Sequence, residues 1–332
     1  MNIVNEKIKL PSGKEISIET GKLAKQADGS VVVRMEDTML LATVVANIDV
    51  KEGVDFMPLT VDYREKFTST GRFPGGFLKR EARPSDEEIL TMRLVDRALR
   101  PLFPDDFHAE TQVMIQLISS EKENMPDALA CLAASAAIAV SDIPFNGPVS
   151  EVRIAKIDGE NVINPTFDEL KSAEMDMVIA GTMDSIVMVE GEMNEVSEED
   201  MLEAIKSAHE VIKQQCQLQL DLAAKIEKSN PKREYSHETH NEELKKNIHD
   251  FSYQRCYDIA KQGLADKHKR GELFGAVKED FKATLGEDEI TENSFLINQY
   301  FKATQKEAVR RVVLDESIRS VSYTHLRAHE TD

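Results

Sequence analysis

Residues 75–85 read Gly75-Gly76-Phe77-Leu78-Lys79-Arg80-Glu81-Ala82-Arg83-Pro84-Ser85, and a helical pattern follows them directly. Ser85 and Glu88 have the spacing of a capping box, in which each side chain accepts a hydrogen bond from the other residue's backbone N–H. Asp86 and Glu87 suit the positive end of a helix dipole. The pattern predicts a helix over Pro84 to Leu99 that starts where a glycine-containing loop ends.

A local excess of basic residues surrounds this loop. Basic residues outnumber acidic ones six to two between Arg64 and Arg83, although the whole chain has a net charge of -19. Because phosphate backbones attract positive charge, a nucleic-acid site on so acidic a protein would have to be local. Gly75 and Gly76 allow unusual backbone conformations, and a nucleobase could stack on Phe77 for ~1–3 kcal/mol.

The predicted helix carries Arg93, Arg97 and Arg100, at spacings that bring three like charges onto one side. Bound phosphates would offset their repulsion through charge-assisted hydrogen bonds of ~1.5–3 kcal/mol each. Alternatively, Asp96 pairs with Arg93 and Arg100, and the side is an ordinary solvated surface. The spacing leaves both interpretations open.

Short strand patterns dominate the first two-thirds of the chain. Two β-branched runs around Glu36-Asp37 and a shorter pair around Asp158-Gly159 predict two hairpins. Further strands are predicted over Phe56 to Tyr63, Thr111 to Ile118, Met175 to Ala180 and Ile186 to Val189. An alanine-rich helix is predicted over Asp127 to Val140, and a longer one begins near Ser197. Strands followed by helices predict an α+β fold.

The composition changes near residue 229. The polar stretch there contains Pro231, which breaks helices, so a linker is predicted over residues 229–240. Beyond it, Leu244, Ile248 and Phe251 have helical spacing, and no strand-like run follows. A small all-helical domain is therefore predicted over residues 241–311.

Several stretches carry a family resemblance: residues 75–85, residues 89–97, Arg100-Pro101-Leu102-Phe103-Pro104, Ala133-Ala134-Ser135-Ala136-Ala137, residues 143–148 and Asn164-Pro165-Thr166. They resemble the first RNase PH-like core of bacterial polynucleotide phosphorylases. The resemblance implies β-α layers like those of ribosomal protein S5 domain 2, followed by a small all-α domain. The implied boundaries are 1–228 for the first core, with subdomains 1–145 and 146–228, and 312–320 for the start of a second core.

The resemblance also implies a function. Polynucleotide phosphorylases form homotrimeric rings and degrade single-stranded RNA from its 3′ end with inorganic phosphate, releasing nucleoside diphosphates. By this resemblance Phe77 and its loop would line the constriction of the RNA channel. The residues implied to hold the RNA backbone are Lys79, Arg80, Arg83, Arg93, Arg97 and Arg100. Partners from RNA-degradation complexes are a further expectation.

The sequence departs from the family pattern at two places. Phe77-Leu78-Lys79-Arg80 stands where many relatives have Phe-Phe-Arg-Arg, which weakens stacking and replaces a guanidinium fork by a point charge. The family's catalytic Asp-x-Asp-x-Lys lies in the second core, whereas the matching stretch here keeps Asp176 but has Val178 at the lysine position. No catalytic residue is therefore expected in this chain, and Asp176 is interpreted as structural.

The same resemblance implies Mg²⁺ held by carboxylates of the second core, so no metal ligand is expected here. His237 and His240 could bind a metal, but a solvated turn is the preferred interpretation. The odd number of cysteines, Cys131, Cys216 and Cys256, indicates buried thiols rather than disulfides or zinc. With no signal-peptide pattern and no apolar run near the ~20 residues that span a bilayer, the cytoplasm is the expected location.

The end of the sequence departs from the family as well. It reads Ser322-Tyr323-Thr324-His325-Leu326-Arg327-Ala328-His329-Glu330-Thr331 and resembles a translated sequencing-library adapter. Residues 321–332 are therefore predicted to be a non-native tail on an N-terminal part that is inactive alone, a native polar tail being the alternative. A second functional hypothesis is a catalytically silent RNase PH-like ring subunit that only guides RNA.

Overall fold

The computed structural model describes residues 3–50, 54, 56–237 and 240–319, and the chain divides into two compact units after His237. The predicted tail, residues 321–332, lies outside the described residues, as do Glu238 and Thr239. In the part of the chain that is described, no helix combines the length and apolar character needed to cross a membrane.

The first unit begins with a six-stranded sheet in the order β1-β2-β3-β4-β6-β5. Its strands are β1 (Val4–Lys9), β2 (Glu15–Thr20), β3 (Gly29–Met35), β4 (Thr38–Ala46), β5 (Leu59–Glu65) and β6 (Thr111–Ser119). Neighbouring strands are antiparallel except β5 and β6, which are parallel. The hairpin predicted around Glu36-Asp37 is confirmed as β3 and β4.

Two strands and one strand boundary differ from the sequence expectation. The pattern does not predict β1 and β2, because lysine and glutamate interrupt their short apolar alternation. The strand predicted from Phe56 begins at Leu59, because Pro58 has no amide proton and the ladder with β6 starts at the Leu59 and Thr111 pair. Phe56 itself is exposed.

Two helices complete the first half of this unit, α1 (Asp86–Leu99) and α2 (Asp127–Ala139). Every residue from Ala128 to Ile138 is buried, since α2 packs against both β-sheets and against α1. Small alanine side chains allow this close packing. A Cβ atom at Gly29 of β3 would lie 1.9 Å from the Ala137 carbonyl oxygen, so only glycine fits there. The alanine-rich central helix is confirmed.

The second half is a four-stranded antiparallel sheet in the order β10-β9-β7-β8. Its elements are β7 (Ser150–Ile157), β8 (Glu160–Ile163), the short α3 (Phe167–Leu170), β9 (Met175–Gly181), β10 (Ile186–Met193) and α4 (Glu198–Ala223). Asp158 and Gly159 both have positive φ, of 50° and 83°, which suits the predicted hairpin turn. The α+β class is confirmed.

Residues 229–237 do not behave as the free linker that their polarity predicts. Lys232 Nζ donates to the Ser141 carbonyl oxygen at 2.7 Å, Arg233 Nη2 donates to Asp142 Oδ1 at 2.6 Å, and Tyr235 Oη donates to Asp106 Oδ1 at 2.6 Å. This is a correction: polar side chains of the segment satisfy groups of the first unit, so the segment belongs to it.

The second unit is helical, with α5 (Glu242–Lys261), α6 (Lys267–Lys282) and α7 (Glu287–Glu316). Its core contains Ile248, Phe274, Phe281, Ile297 and Val312. The second core was predicted to start at residue 312, but α7 continues to Glu316 and buries Val312 in the helical core. Residues 312–316 thus belong to α7, and the start of a second core stays a prediction.

Candidate nucleic-acid interface

The loop that carries the basic residues connects a short turn after β5 to α1. Residues 75–83 are all exposed. Phe77 is 99% exposed, and the Lys79 N–H donates to the Gly76 carbonyl oxygen at 3.0 Å. Such a turn holds the Phe77 ring in solvent, where a flat ligand can reach both faces.

The capping box fixes the end of this loop. The Glu88 N–H donates to Ser85 Oγ at 3.2 Å, and the Ser85 N–H donates to Glu88 Oε2 at 2.6 Å. The other carboxylate oxygen of Glu88 accepts from the Glu65 N–H at 2.8 Å. The predicted box is confirmed, and it also ties the first turn of α1 to β5.

The burial pattern of α1 determines which side chains face solvent. Thr91, Val95, Ala98 and Leu99 are buried. The helical period then turns Arg93 and Arg97 outward. The loop cations and these two arginines therefore all lie at exposed positions between residues 75 and 97.

Arg93 and Arg97 of α1 and Arg100, which directly follows this helix, differ in their ion pairs. Arg93 is exposed and forms no ion pair with any described residue. Arg97 Nη1 donates to Glu190 Oε2 of β10. Arg100 holds Asp96 through two hydrogen bonds, which favours the alternative interpretation for this arginine but not for Arg93.

The loop cations Lys79, Arg80 and Arg83 are exposed, and within residues 56–237 none has an ion-pair partner. At the base of the loop, acidic side chains lie among the basic ones. A groove of about 320 Å³ there is lined by Arg64, Lys66 and Arg83 and also by Asp62, Glu65, Glu81 and Glu88. Arg64 Nε lies 3.2 Å from Asp62 Oδ1. The basic surface is therefore the loop and Arg93, and not the whole stretch from residue 64.

A partly buried charged cluster lies where the family's catalytic stretch would match. Arg153 Nη1 is 3.1 Å from Asp127 Oδ2, and Arg153 Nε is 3.2 Å from Asp176 Oδ1 without forming an aligned hydrogen bond. Burial raises the pKa of Asp176, and Arg153 opposes the rise. A guanidinium thus occupies the position between these carboxylates that a metal ion would need.

The fourth member of the cluster is Glu151, which is 1% exposed. Burial raises the pKa of its carboxyl to about 8, Asp127 adds to the rise, and Arg153 opposes it. Sequence reasoning missed this residue, because a single glutamate in a strand pattern does not indicate that it points inward. The raised pKa favours the protonated form of this carboxyl over the charged form.

Among the described residues, no group of three or more His, Cys, Asp or Glu side chains lies close enough together to hold a metal ion. His237 is not part of a solvated turn. Its Nδ1 accepts from the His108 N–H at 3.0 Å, and its ring packs against Phe107 and Tyr235. All three cysteines are buried and free, as predicted.

Comparison with known proteins gives the family. Residues 12–144 match the 3′ exoribonuclease family, domain 1, and residues 147–211 match domain 2 of that family. The chain belongs to the 3′ exoribonuclease family. The two matched regions correspond to the halves with the six-stranded and four-stranded sheets, so the predicted RNase PH-like core is confirmed.

The chain is similar to proteins named polyribonucleotide nucleotidyltransferase. It is 58% identical to that of Bacteroides fragilis over 96% of this chain and 45% of the relative. It is 56% identical to that of Porphyromonas gingivalis, over 96% and 43%, and 56% identical to that of Cytophaga hutchinsonii, over 95% and 44%. The chain therefore spans less than half the length of these relatives.

Proposed function

We propose that this chain is the N-terminal part of a polyribonucleotide nucleotidyltransferase that degrades RNA 3′ to 5′ by phosphorolysis, and that this part holds single-stranded RNA. The observation that carries the proposal is the set of unpaired loop cations beside a fully exposed Phe77, in a member of an exoribonuclease family. Within an acidic chain, such a set is a local positive surface that attracts a polyanion.

The predicted RNA-binding residues receive different roles in this proposal. Phe77 stacks on a base, and Lys79, Arg80, Arg83 and Arg93 bind the backbone phosphates. Arg97 already has a carboxylate partner and contributes only when that pair opens. Arg100 uses four of its five N–H donors on Asp96 and two carbonyl oxygens, so it connects α1 to β5 instead of binding RNA.

We assign the phosphorolytic chemistry to a second core outside this chain. The Asp127, Arg153 and Asp176 cluster contains its own cation and does not fit Mg²⁺, so no step of the reaction is assigned to it. Attack of inorganic phosphate and release of a nucleoside diphosphate would require the family's Asp-x-Asp-x-Lys. Mg²⁺, a homotrimeric ring, partners from RNA-degradation complexes and a cytoplasmic location remain predictions of the family resemblance.

Fluorescence anisotropy with a labelled oligoadenylate tests the RNA-holding role. We expect the chain to bind the single strand more tightly than a duplex of the same length, since only unpaired bases can stack on Phe77. Equal affinity for both would contradict the role of Phe77, and no binding would contradict the RNA-holding role as a whole.

A phosphorolysis assay tests where the chemistry resides. With poly(A), inorganic phosphate and Mg²⁺, this chain alone is expected to release no ADP. Substantial ADP release would overturn the assignment to a second core. An Asp-x-Asp-x-Lys run encoded downstream of Arg319 would favour the enzyme over a silent RNA-guiding subunit, as do the names of the relatives.

A further inference from the structure

The ion pair between Arg97 and Glu190 joins two elements that are far apart in sequence. Arg97 lies on the outer side of α1, and Glu190 lies on β10. Their side chains are 53% and 55% exposed, so water reaches both partners. Exposed pairs of this kind contribute at most about 1 kcal/mol, because the charges are screened and two flexible side chains must be ordered. The pair is therefore easily opened.

Arg93, Arg97 and Arg100 differ in how available their guanidinium groups are for a ligand. Arg93 has no ion pair with a described residue, whereas Arg100, just after α1, is held by Asp96 and by the carbonyl oxygens of Met57 and Leu59. Arg97 is intermediate, since its single ion-pair partner comes from another element and is itself exposed. A guanidinium binds a carboxylate and a phosphate through the same planar donors. Glu190 thus occupies donors that a phosphodiester could use.

We propose that Glu190 is an internal counter-anion that competes with an RNA phosphate for Arg97 and thereby lowers the affinity of the α1 surface for RNA. This inference rests on the proposed function. RNA binding exchanges the carboxylate for a phosphate oxygen at Arg97, and the displaced Glu190 then adds negative charge beside the bound strand. Binding that engages several cations at once can drive this exchange, whereas a single small anion gains only one contact.

The test is the affinity of a fluorescein-labelled single-stranded oligoadenylate, measured by anisotropy without added phosphate. Glu190→Gln is expected to tighten binding about two- to fivefold, the range that an exposed ion pair supports. Its plot of log affinity against log salt should be steeper by up to ~0.7, because one more cation is available to replace counter-ions of the strand.

Glu192→Gln is the matched control. It removes the same charge from the same face of β10, since side chains two positions apart in a strand point the same way. Glu192 is exposed and has no ion-pair partner within the described chain. A gain in RNA affinity that comes from a general loss of negative charge would appear in both variants. A gain that comes from removing the proposed competition would appear only in Glu190→Gln.

A double-mutant cycle with Arg97→Ala completes the design. In the Arg97→Ala background, Glu190→Gln and Glu192→Gln should have equal effects, because the competition no longer exists. If Glu190→Gln matches Glu192→Gln with Arg97 present, while Arg93→Ala still weakens binding, the inference is overturned and the proposed function stands. If Arg93→Ala and the triple variant Lys79→Ala, Arg80→Ala, Arg83→Ala also leave binding unchanged, both the proposed RNA site and the inference are overturned.

Discussion

Arg100 and Asp96 are joined by two hydrogen bonds at the end of α1, 2.8 Å from Nε and 2.6 Å from Nη2. The same guanidinium donates to the Met57 carbonyl oxygen at 3.1 Å and to the Leu59 carbonyl oxygen at 3.2 Å. Arg100 therefore connects α1 to the start of β5. The N–H donors of Arg100 thus stabilise the contact between α1 and β5, although the spacing of Arg93, Arg97 and Arg100 in the sequence suggests a shared role.

Replacing Arg100 by alanine is expected to destabilise the first unit by about 1–3 kcal/mol, because two carbonyl oxygens and Asp96 lose a charged donor. Urea unfolding measures this change. Arg93→Ala removes the same side chain from the same helix where it has no ion-pair partner among the described residues, so its unfolding midpoint should match the wild type. Equal midpoints for all three proteins would show that Arg100 does not connect these elements.

The complementary prediction concerns RNA. Arg93→Ala should weaken binding of a single-stranded oligonucleotide and reduce the slope of log affinity against log salt by ~0.7, since one phosphate contact is lost. Arg34→Ala is the control for net charge, because Arg34 pairs with Asp37 and lies on β3 outside the loop and α1. A loss of equal size in both variants would contradict a specific role for Arg93.

Phe77→Ala should weaken single-strand binding by about 1–3 kcal/mol if one base stacks on the ring. Stability should not change, since the side chain is 99% exposed. Leu78→Ala removes a neighbouring exposed apolar side chain that cannot stack, and it should have a smaller effect on affinity. Isothermal titration with a short oligoadenylate measures both. Matching losses for Phe77→Ala and Leu78→Ala would indicate general apolar contact instead of stacking.

Glu151 predicts a dependence of stability on pH. Burial raises the pKa of its carboxyl from 4.5 to about 8 in the folded chain, so the native state retains a proton that the unfolded chain releases. Unfolding is then favoured increasingly as pH rises through that interval, and the contribution of Glu151 to stability falls.

Urea unfolding over this pH interval checks the prediction. Glu151→Gln keeps the shape of the side chain but cannot ionise, so its midpoint should fall less with pH than that of the wild type. Glu160→Gln, at an exposed position of β8, should follow the wild type. If the unfolding midpoint of Glu151→Gln depended on pH as that of the wild type does, Glu151 would not be the group that causes the loss of stability.

Local patterns in the sequence predicted much of the fold. The Ser85 and Glu88 capping box, the Glu36-Asp37 hairpin and the alanine-rich α2 depend on residues close together in the chain, and each is confirmed. The packing of residues 229–237 against the first unit is not predictable from local patterns, because the hydrogen-bond partners of this segment are distant in sequence. The end of α7 at Glu316 is not predicted either, because the family boundary at residue 312 falls inside the helix. Polarity alone cannot show that Lys232 and Arg233 have internal partners.

The candidate site was predictable only in part for the same reason. Exposure of Phe77 and the loop cations follows from glycine, proline and charge in one stretch of sequence. The pairing of Arg97 with Glu190 spans two elements and could not be derived from spacing. The helical spacing predicts an ion pair between Arg100 and Asp96 as one of two alternatives, and this pair is present in the structure. Arg93 forms no such pair with a described residue.

The central claim is that single-stranded RNA binds at the exposed basic loop. Its most direct test is the salt dependence of oligoadenylate binding by the wild type and by the triple variant Lys79→Ala, Arg80→Ala, Arg83→Ala. Loss of three phosphate contacts predicts weaker binding and a slope of log affinity against log salt smaller by ~2. An unchanged affinity and slope in the folded triple variant would contradict the account.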